Sequence, residues 1–121
     1  MTKILVIDDE ESVRTLLRLM LEREGYDVIT AADGVQGLRA FTAEGADLVI
    51  TDLVMPDKEG FETIKDIKNI YPETPVIVIS GGGLIDAETY LKLAGKLGAA
   101  RTFSKPLDRK KLVEAVKQLT A

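Results

Sequence analysis

The chain has 121 residues, 45% of them apolar and 30% charged, with 16 basic side chains against 20 acidic ones and a formal charge of −4. That is material for one domain around one packed core, and the mildly acidic balance argues against nonspecific binding to nucleic acid or to an anionic membrane. Cysteine and histidine are both absent; this excludes disulfides, thiolate nucleophiles, Ser-His-Asp and Cys-His sites and the usual zinc enzymes, and leaves carboxylate, amine, hydroxyl and backbone groups for chemistry.

Ile4-Leu5-Val6-Ile7 is apolar throughout and of strand length, as expected of a strand buried on both faces. It is too short for a signal-peptide core or a membrane span, and Asp8, Asp9, Glu10 and Glu11 follow at once, so the chain reads as soluble and cytoplasmic. Glu10 to Arg23 carries Val13, Leu16, Leu17, Met20 and Leu21 at helical spacing, with Gly25 as the stop. Tyr26 to Thr30 predicts a second strand, more polar and therefore at a sheet edge, and Gly34 to Thr42 a second helix with Val35, Leu38 and Phe41. Asp47 to Thr51 predicts the third strand, and Met55-Pro56 breaks the loop from Asp52 to Gly60. Phe61, Ile64, Ile67 and Ile70 mark a third helix, and Pro75 opens a fourth strand, Val76 to Ile79. Gly81-Gly82-Gly83 precedes a helix with Tyr90, Leu91, Ala94 and Leu97, closed by Gly98. A weak fifth strand, Ala100 to Ser104, ends at Lys105-Pro106, and Asp108 caps a last helix with Leu112, Val113, Val116 and Leu119 on one face.

Five strand–helix units in strict alternation predict an α/β fold, a doubly wound parallel sheet with helices on both faces. No linker or low-complexity segment divides the chain, and residues 1–121 read as a single domain.

In such a sheet the functional crevice lies at the carboxyl ends of the strands. Strand one delivers Asp8 and Asp9 there, strand three Asp52, strand four Ser80 and strand five Lys105. Each has an ordinary structural role open to it: the Asp pair as helix caps or dipole partners with Glu10, Asp52 as a turn former, Ser80 as loop, Lys105 as a solvated side chain. Convergence on one edge favours chemistry. Aspartates crowded together must take up protons or bind a cation, and a hard divalent ion, Mg²⁺ or Mn²⁺, suits oxygen ligands beside phosphate. An aspartate can attack phosphorus to form an acyl phosphate. Neither a P-loop nor a dinucleotide fingerprint is present.

Ile7-Asp8-Asp9-Glu10, Asp52-Leu53-Val54-Met55-Pro56 with Gly60, Ser80, and Lys105-Pro106, in this order along the whole chain, resemble the receiver domain of two-component response regulators. The resemblance implies a flavodoxin-like (βα)5 sheet in the order 2-1-3-4-5, documented for flavodoxin and for a member of this family. It implies that Asp52 is the phosphoacceptor. Mg²⁺ is held by Asp9, Asp52 and the Val54 carbonyl, with Asp8 assisting. Lys105 and Ser80 engage the phosphoryl group, and the Lys105-Pro106 bond is cis. Thr102 stands where an aromatic switch residue is usual, with Phe103 beside it, so the switch is read as Thr102 or Phe103 together with Ser80. Leu107 replaces a frequent phenylalanine.

The implied activity is regulatory rather than enzymatic. A histidine kinase or histidine phosphotransfer protein supplies the phosphoryl group, and a downstream effector protein reads it, with no nucleic acid or membrane as partner and no effector domain attached. Kinase docking is placed on the first helix near Arg14 and Leu17. Output is placed on the helix of Tyr90 and Leu91, the fifth strand and the last helix. The competing reading is a phosphorylation-independent pseudo-receiver, against which the intact acidic set argues. A flavin protein lacks its aromatic sandwich here, and an aspartyl phosphatase often has an acid where Val54 stands.

Overall fold

The computed structural model describes residues 1–52, 59–80, 92, 95, 96 and 98–121; of Glu59, Gly60, Phe61 and Ser80 it describes the backbone. Five strands are present: β1 (Lys3–Ile7), β2 (Asp27–Ala31), β3 (Leu48–Asp52), β4 (Val76–Ser80) and β5 (Arg101–Ser104). Among the described residues four long helices accompany them: α1 (Glu11–Arg23), α2 (Gly34–Glu44), α3 (Glu59–Ile70) and α4 (Arg109–Thr120). The helix expected around Tyr90, Leu91, Ala94 and Leu97 falls on positions outside the described residues.

All neighbouring strands pair in parallel, in the order β2-β1-β3-β4-β5. The more polar β2 is an edge strand, as its composition predicts. The chain runs outward from β1 to β2 and then returns to place β3 on the other side of β1. The order therefore reverses between β1 and β3, and a crevice opens beyond their carboxyl ends.

Successive side chains along a strand point to opposite faces, so each strand feeds two cores. Leu5, Ile7, Val49, Val76 and Val78 meet Phe41 of α2 and Ile64 and Ile67 of α3. Ile4, Val6, Leu48, Ile50, Ile77 and Ile79 meet Leu17 and Leu21 of α1 and Leu112, Ala115 and Val116 of α4. Burial on both faces is why β1 and β4 are almost unbroken apolar runs.

Each strand differs by one residue at one or both ends from the sequence expectation, and β2 and β3 are displaced at both. β2 begins at Asp27 because Tyr26 belongs to the end of α1. There Gly25, at φ +92°, donates to the Glu22 carbonyl and Tyr26 to the Leu21 carbonyl, a Schellman closure that needs the glycine. β3 runs from Leu48 to Asp52, so Asp52 is the last rung of the ladder, paired with Ile79, rather than the first loop residue. The α3 helix starts at Glu59, before Gly60. Asp108 caps α4 as expected, its Oδ1 accepting from the Lys111 amide at 3.1 Å. Asp33 caps α2 in the same way through the Gln36 amide at 2.8 Å.

Helix α2 comes close to β1 at one point. A Cβ on Gly37 would overlap Ile7 Cδ1 and lie 2.8 Å from Ile7 Cγ1. Alanine gains about 1 kcal/mol of helix propensity over glycine, but overfilling a packed core costs roughly 1–3 kcal/mol. Ile7 is fully buried, so the second effect wins. Gly37→Ala is predicted to destabilise the protein by about 1 kcal/mol in urea unfolding. Adding Ile7→Val, which removes the Cδ1 methyl, is predicted to recover part of that loss.

Candidate functional site

Asp8 follows β1 directly, Asp52 ends β3, Ser80 ends β4 and Lys105 follows β5. The switch-point crevice thus collects groups that lie far apart in sequence. Asp8 and Asp52 are buried, with 1% and 2% of their surfaces exposed, whereas Asp9 and Glu10 are exposed. Each of these four side chains offers an oxygen that lies within 4.8 Å of those of the others.

Among the described residues one ammonium faces this acidic group. Lys105 Nζ lies 2.9 Å from Asp52 Oδ2, 3.2 Å from Glu10 Oε1 and 3.3 Å from Asp8 Oδ2. It donates hydrogen bonds to the first two. The Lys105–Pro106 peptide is cis. Asp8 Oδ1 accepts from the Glu10 amide at 2.8 Å, and the Asp8 carbonyl accepts from Arg14 Nη1 at 2.7 Å. The other carboxylate oxygen, Asp8 Oδ2, is buried and accepts no hydrogen bond. Its approach to Lys105 is an ion-pair contact without hydrogen-bond alignment.

Burial pushes the Asp8 carboxyl up from 3.8 to about 6. The Glu10 amide opposes this rise, the Asp52 charge adds to it, and Lys105 offsets part of it. Burial works against a charged Lys105, but its hydrogen bond to Asp52 and the charges of Asp52 and Asp8 outweigh that and hold its ammonium well above the usual lysine range. The amine is therefore a permanent cation.

The structure brings Asp8, Asp9, Asp52 and Lys105 into one pocket, and Ser80 ends β4, the strand beside β3. Val54 lies outside the described residues. Thr102 and Phe103 are half-buried on β5, in register with Val78 and Ile79. Phe103 packs against the core shared by α1 and α4, as does Leu107. Two corrections follow. Leu17 is fully buried and cannot form a docking surface, because it belongs with Leu21 to the stripe of α1 that faces the sheet. Glu10, read from sequence only as a partner for the helix dipole, is a member of the pocket. Its place in the acidic run after β1 was the available signal.

An all-oxygen donor set with a buried, unbonded carboxylate oxygen fits a hard divalent cation. The fold and site define an α/β module, a doubly wound parallel sheet with an acidic, lysine-bearing pocket at its switch point. The model of the response regulator receiver domain matches residues 4–117, and the chain belongs to that family, the receiver domains of two-component systems. Phosphorylation and Mg²⁺ binding are typical of it. The chain is 38% identical over 117 residues to the alkaline phosphatase synthesis transcriptional regulatory protein PhoP of Bacillus subtilis, covering 97% of this chain and 48% of that protein. It is 36% identical to sporulation initiation phosphotransferase F of the same organism, covering 96% of this chain and 91% of that one. The chain therefore spans about half the length of the first relative and nearly all of the second. Among solved structures, a receiver domain from Clostridium thermocellum superposes with a TM-score of 0.89 at 36% identity, over 99% of this chain and 94% of that one. The response regulator TrrA of Thermotoga maritima, solved in complex with Mg²⁺-BeF, gives 0.85 at 32%, over 98% and 99%.

The raised Asp8 value has a consequence for stability. Between pH 3.8 and about 6 folded Asp8 keeps a proton that the unfolded chain has released. Its contribution is thus full below the unfolded value and is lost as pH rises through about 6. In chelator-treated protein, wild type is predicted to lose, relative to Asp8→Asn, on the order of 2–3 kcal/mol between pH 4 and pH 7. Denaturant unfolding of the two proteins across that range measures the difference.

Proposed function

We propose that this chain accepts a phosphoryl group on Asp52 from a histidine kinase or a histidine phosphotransfer protein, with Mg²⁺ or Mn²⁺ bound, and thereby changes its affinity for an effector protein. The observation that carries this reading is the contact between a buried carboxylate at the end of β3 and a buried-side ammonium arriving from β5, in the midst of further carboxylates.

The chemistry needs little from protein acids and bases. An Asp52 oxygen forms a bond to phosphorus while the bond from phosphorus to the donor's imidazole nitrogen breaks. Positioning and charge neutralisation carry such a transfer. Asp8, Asp9, Asp52 and the Val54 carbonyl would hold the divalent ion, which when bound neutralises carboxylate charge and attracts phosphoryl oxygens. Lys105 supplies the protein's own positive charge to those oxygens. Ser80, at the end of β4, is assigned a hydrogen bond to the phosphoryl group. New contacts made only in the phosphorylated form shift a pre-existing equilibrium, and β5 with Thr102 is the assigned relay. Phe103, half-buried beside Thr102 and packed against the α1–α4 core, is the alternative relay. Docking of the phosphodonor is assigned to the outer face of α1, where Arg18 and Leu19 are exposed. The protein is a regulatory phosphoacceptor.

With a small acyl phosphate donor and Mg²⁺, intact mass is predicted to rise by one phosphoryl group. Asp52→Asn and chelator treatment are each predicted to abolish the gain, and Lys105→Ala to slow it at least about tenfold. A wild-type mass unchanged across several donors would leave a binding module that works without phosphorylation.

A further inference from the structure

The amide of Glu10 fixes Asp8, but its side chain does something the helix does not need. Glu10 occupies the N-cap position of α1 and makes no side-chain cap. Serine, threonine, asparagine and aspartate are the residues that close a helix there. The favourable negative charge near that helix end is already supplied by Glu11 in the first turn. The Glu10 carboxylate instead reaches across the crevice to Lys105, 95 residues away, at 3.2 Å.

Lys105 has three N–H donors and three carboxylates within 3.3 Å. Two of these donors are committed to Asp52 and Glu10, and the Asp8 carboxylate crowds the ammonium without a hydrogen bond, so a phosphoryl oxygen that draws Lys105 to itself competes with these carboxylates. Asp8 and Asp52 are buried, whereas the Glu10 side chain is 58% exposed and is readily solvated on release. We propose that Glu10 is a positioning residue: its carboxylate tethers Lys105 in the resting protein and is the partner displaced when a phosphoryl group arrives. This inference rests on the phosphoacceptor reading given above.

The tether has two effects of opposite sign. It competes with Asp8 and Asp52 for the Lys105 ammonium and adds negative charge beside them, both of which favour a divalent cation. It also occupies the ammonium and repels an incoming anion, both of which disfavour the phosphoryl group. A half-exposed ion pair is worth little, so each effect is small.

Glu10→Gln keeps the backbone amide and the side-chain volume while removing the charge. It is predicted to weaken Mg²⁺ binding by about two- to fivefold and, at saturating Mg²⁺, to tighten binding of beryllofluoride, a phosphoryl mimic, by a similar factor. Glu10→Ala is predicted to behave alike. Glu24→Gln removes the same charge from an ion pair with Lys117 at the other end of α1 and is predicted to change neither affinity. Titrations followed by amide chemical shifts, with melting temperatures recorded for each variant, read all three. A merely structural role for Glu10 moves both affinities the same way, together with the melting temperature. Wild type that binds beryllofluoride as tightly as Glu10→Gln, or more tightly, overturns the tether and leaves the phosphoacceptor reading intact. Wild type that binds no beryllofluoride at saturating Mg²⁺ overturns both.

Discussion

Among the described residues a single ammonium stands against a crowd of carboxylates at the open end of the sheet, and the properties of the site follow from that imbalance. Charges removed from water are tolerated only when paired, and pairing several with one cation leaves a deficit. Asp8 shows the deficit directly: burial raises its pKa, and one of its oxygens lies buried without a hydrogen bond. Lys105 shows the other side of the balance, its proton held by Asp52 and Asp8 despite partial burial. A pocket in this condition has an electrostatic demand for further positive charge. A divalent ion bound there would give the pocket two cationic centres in a partly dry environment, the setting that the proposed phosphoryl transfer needs.

The rest of the fold keeps those groups together against their mutual repulsion. Asp52 is a rung of the β3–β4 ladder, and Asp8 follows a strand sealed on both faces by core side chains. Neither can retreat without breaking sheet pairing or exposing apolar surface. The close seat of α2 over Ile7, possible only because residue 37 is glycine, fixes the strand that delivers Asp8. Glu10 differs, since it stands at the exposed start of α1 and its carboxylate can exchange Lys105 for water. The pocket thus combines buried acids held by the sheet with one exposed acid at a helix start.

The docking surface shows how far residue type alone can mislead. Leu17 and Leu19 are both leucines on α1, two residues apart, and periodicity says only that one side of the helix is buried. The sheet buries Leu17 completely and leaves Leu19 63% exposed. Glu10 and Asp9 were likewise indistinguishable as acids following β1, and both are exposed. Among the described residues it is Lys105, arriving from the far end of the chain, that singles out Glu10, and the acidic run after β1 signals the neighbourhood without saying which acid the lysine meets.

The sequence by itself determined the alternation of strands and helices, the burial of β1 and β4 on both faces, the edge position of β2, and which residue types stand at the strand ends. Those features follow from local periodicity, turn chemistry and the handedness of crossovers, all of which act over a few residues or one βα unit. Tertiary structure decided the distances: that Asp52 lies within a ladder rung rather than a loop, that Asp8 loses its water, that Lys105 divides itself among three carboxylates, and that Glu10 is one of them. These depend on strand register and on which elements meet at the reversal of strand order, and no stretch of the chain contains that information until the whole sheet has formed.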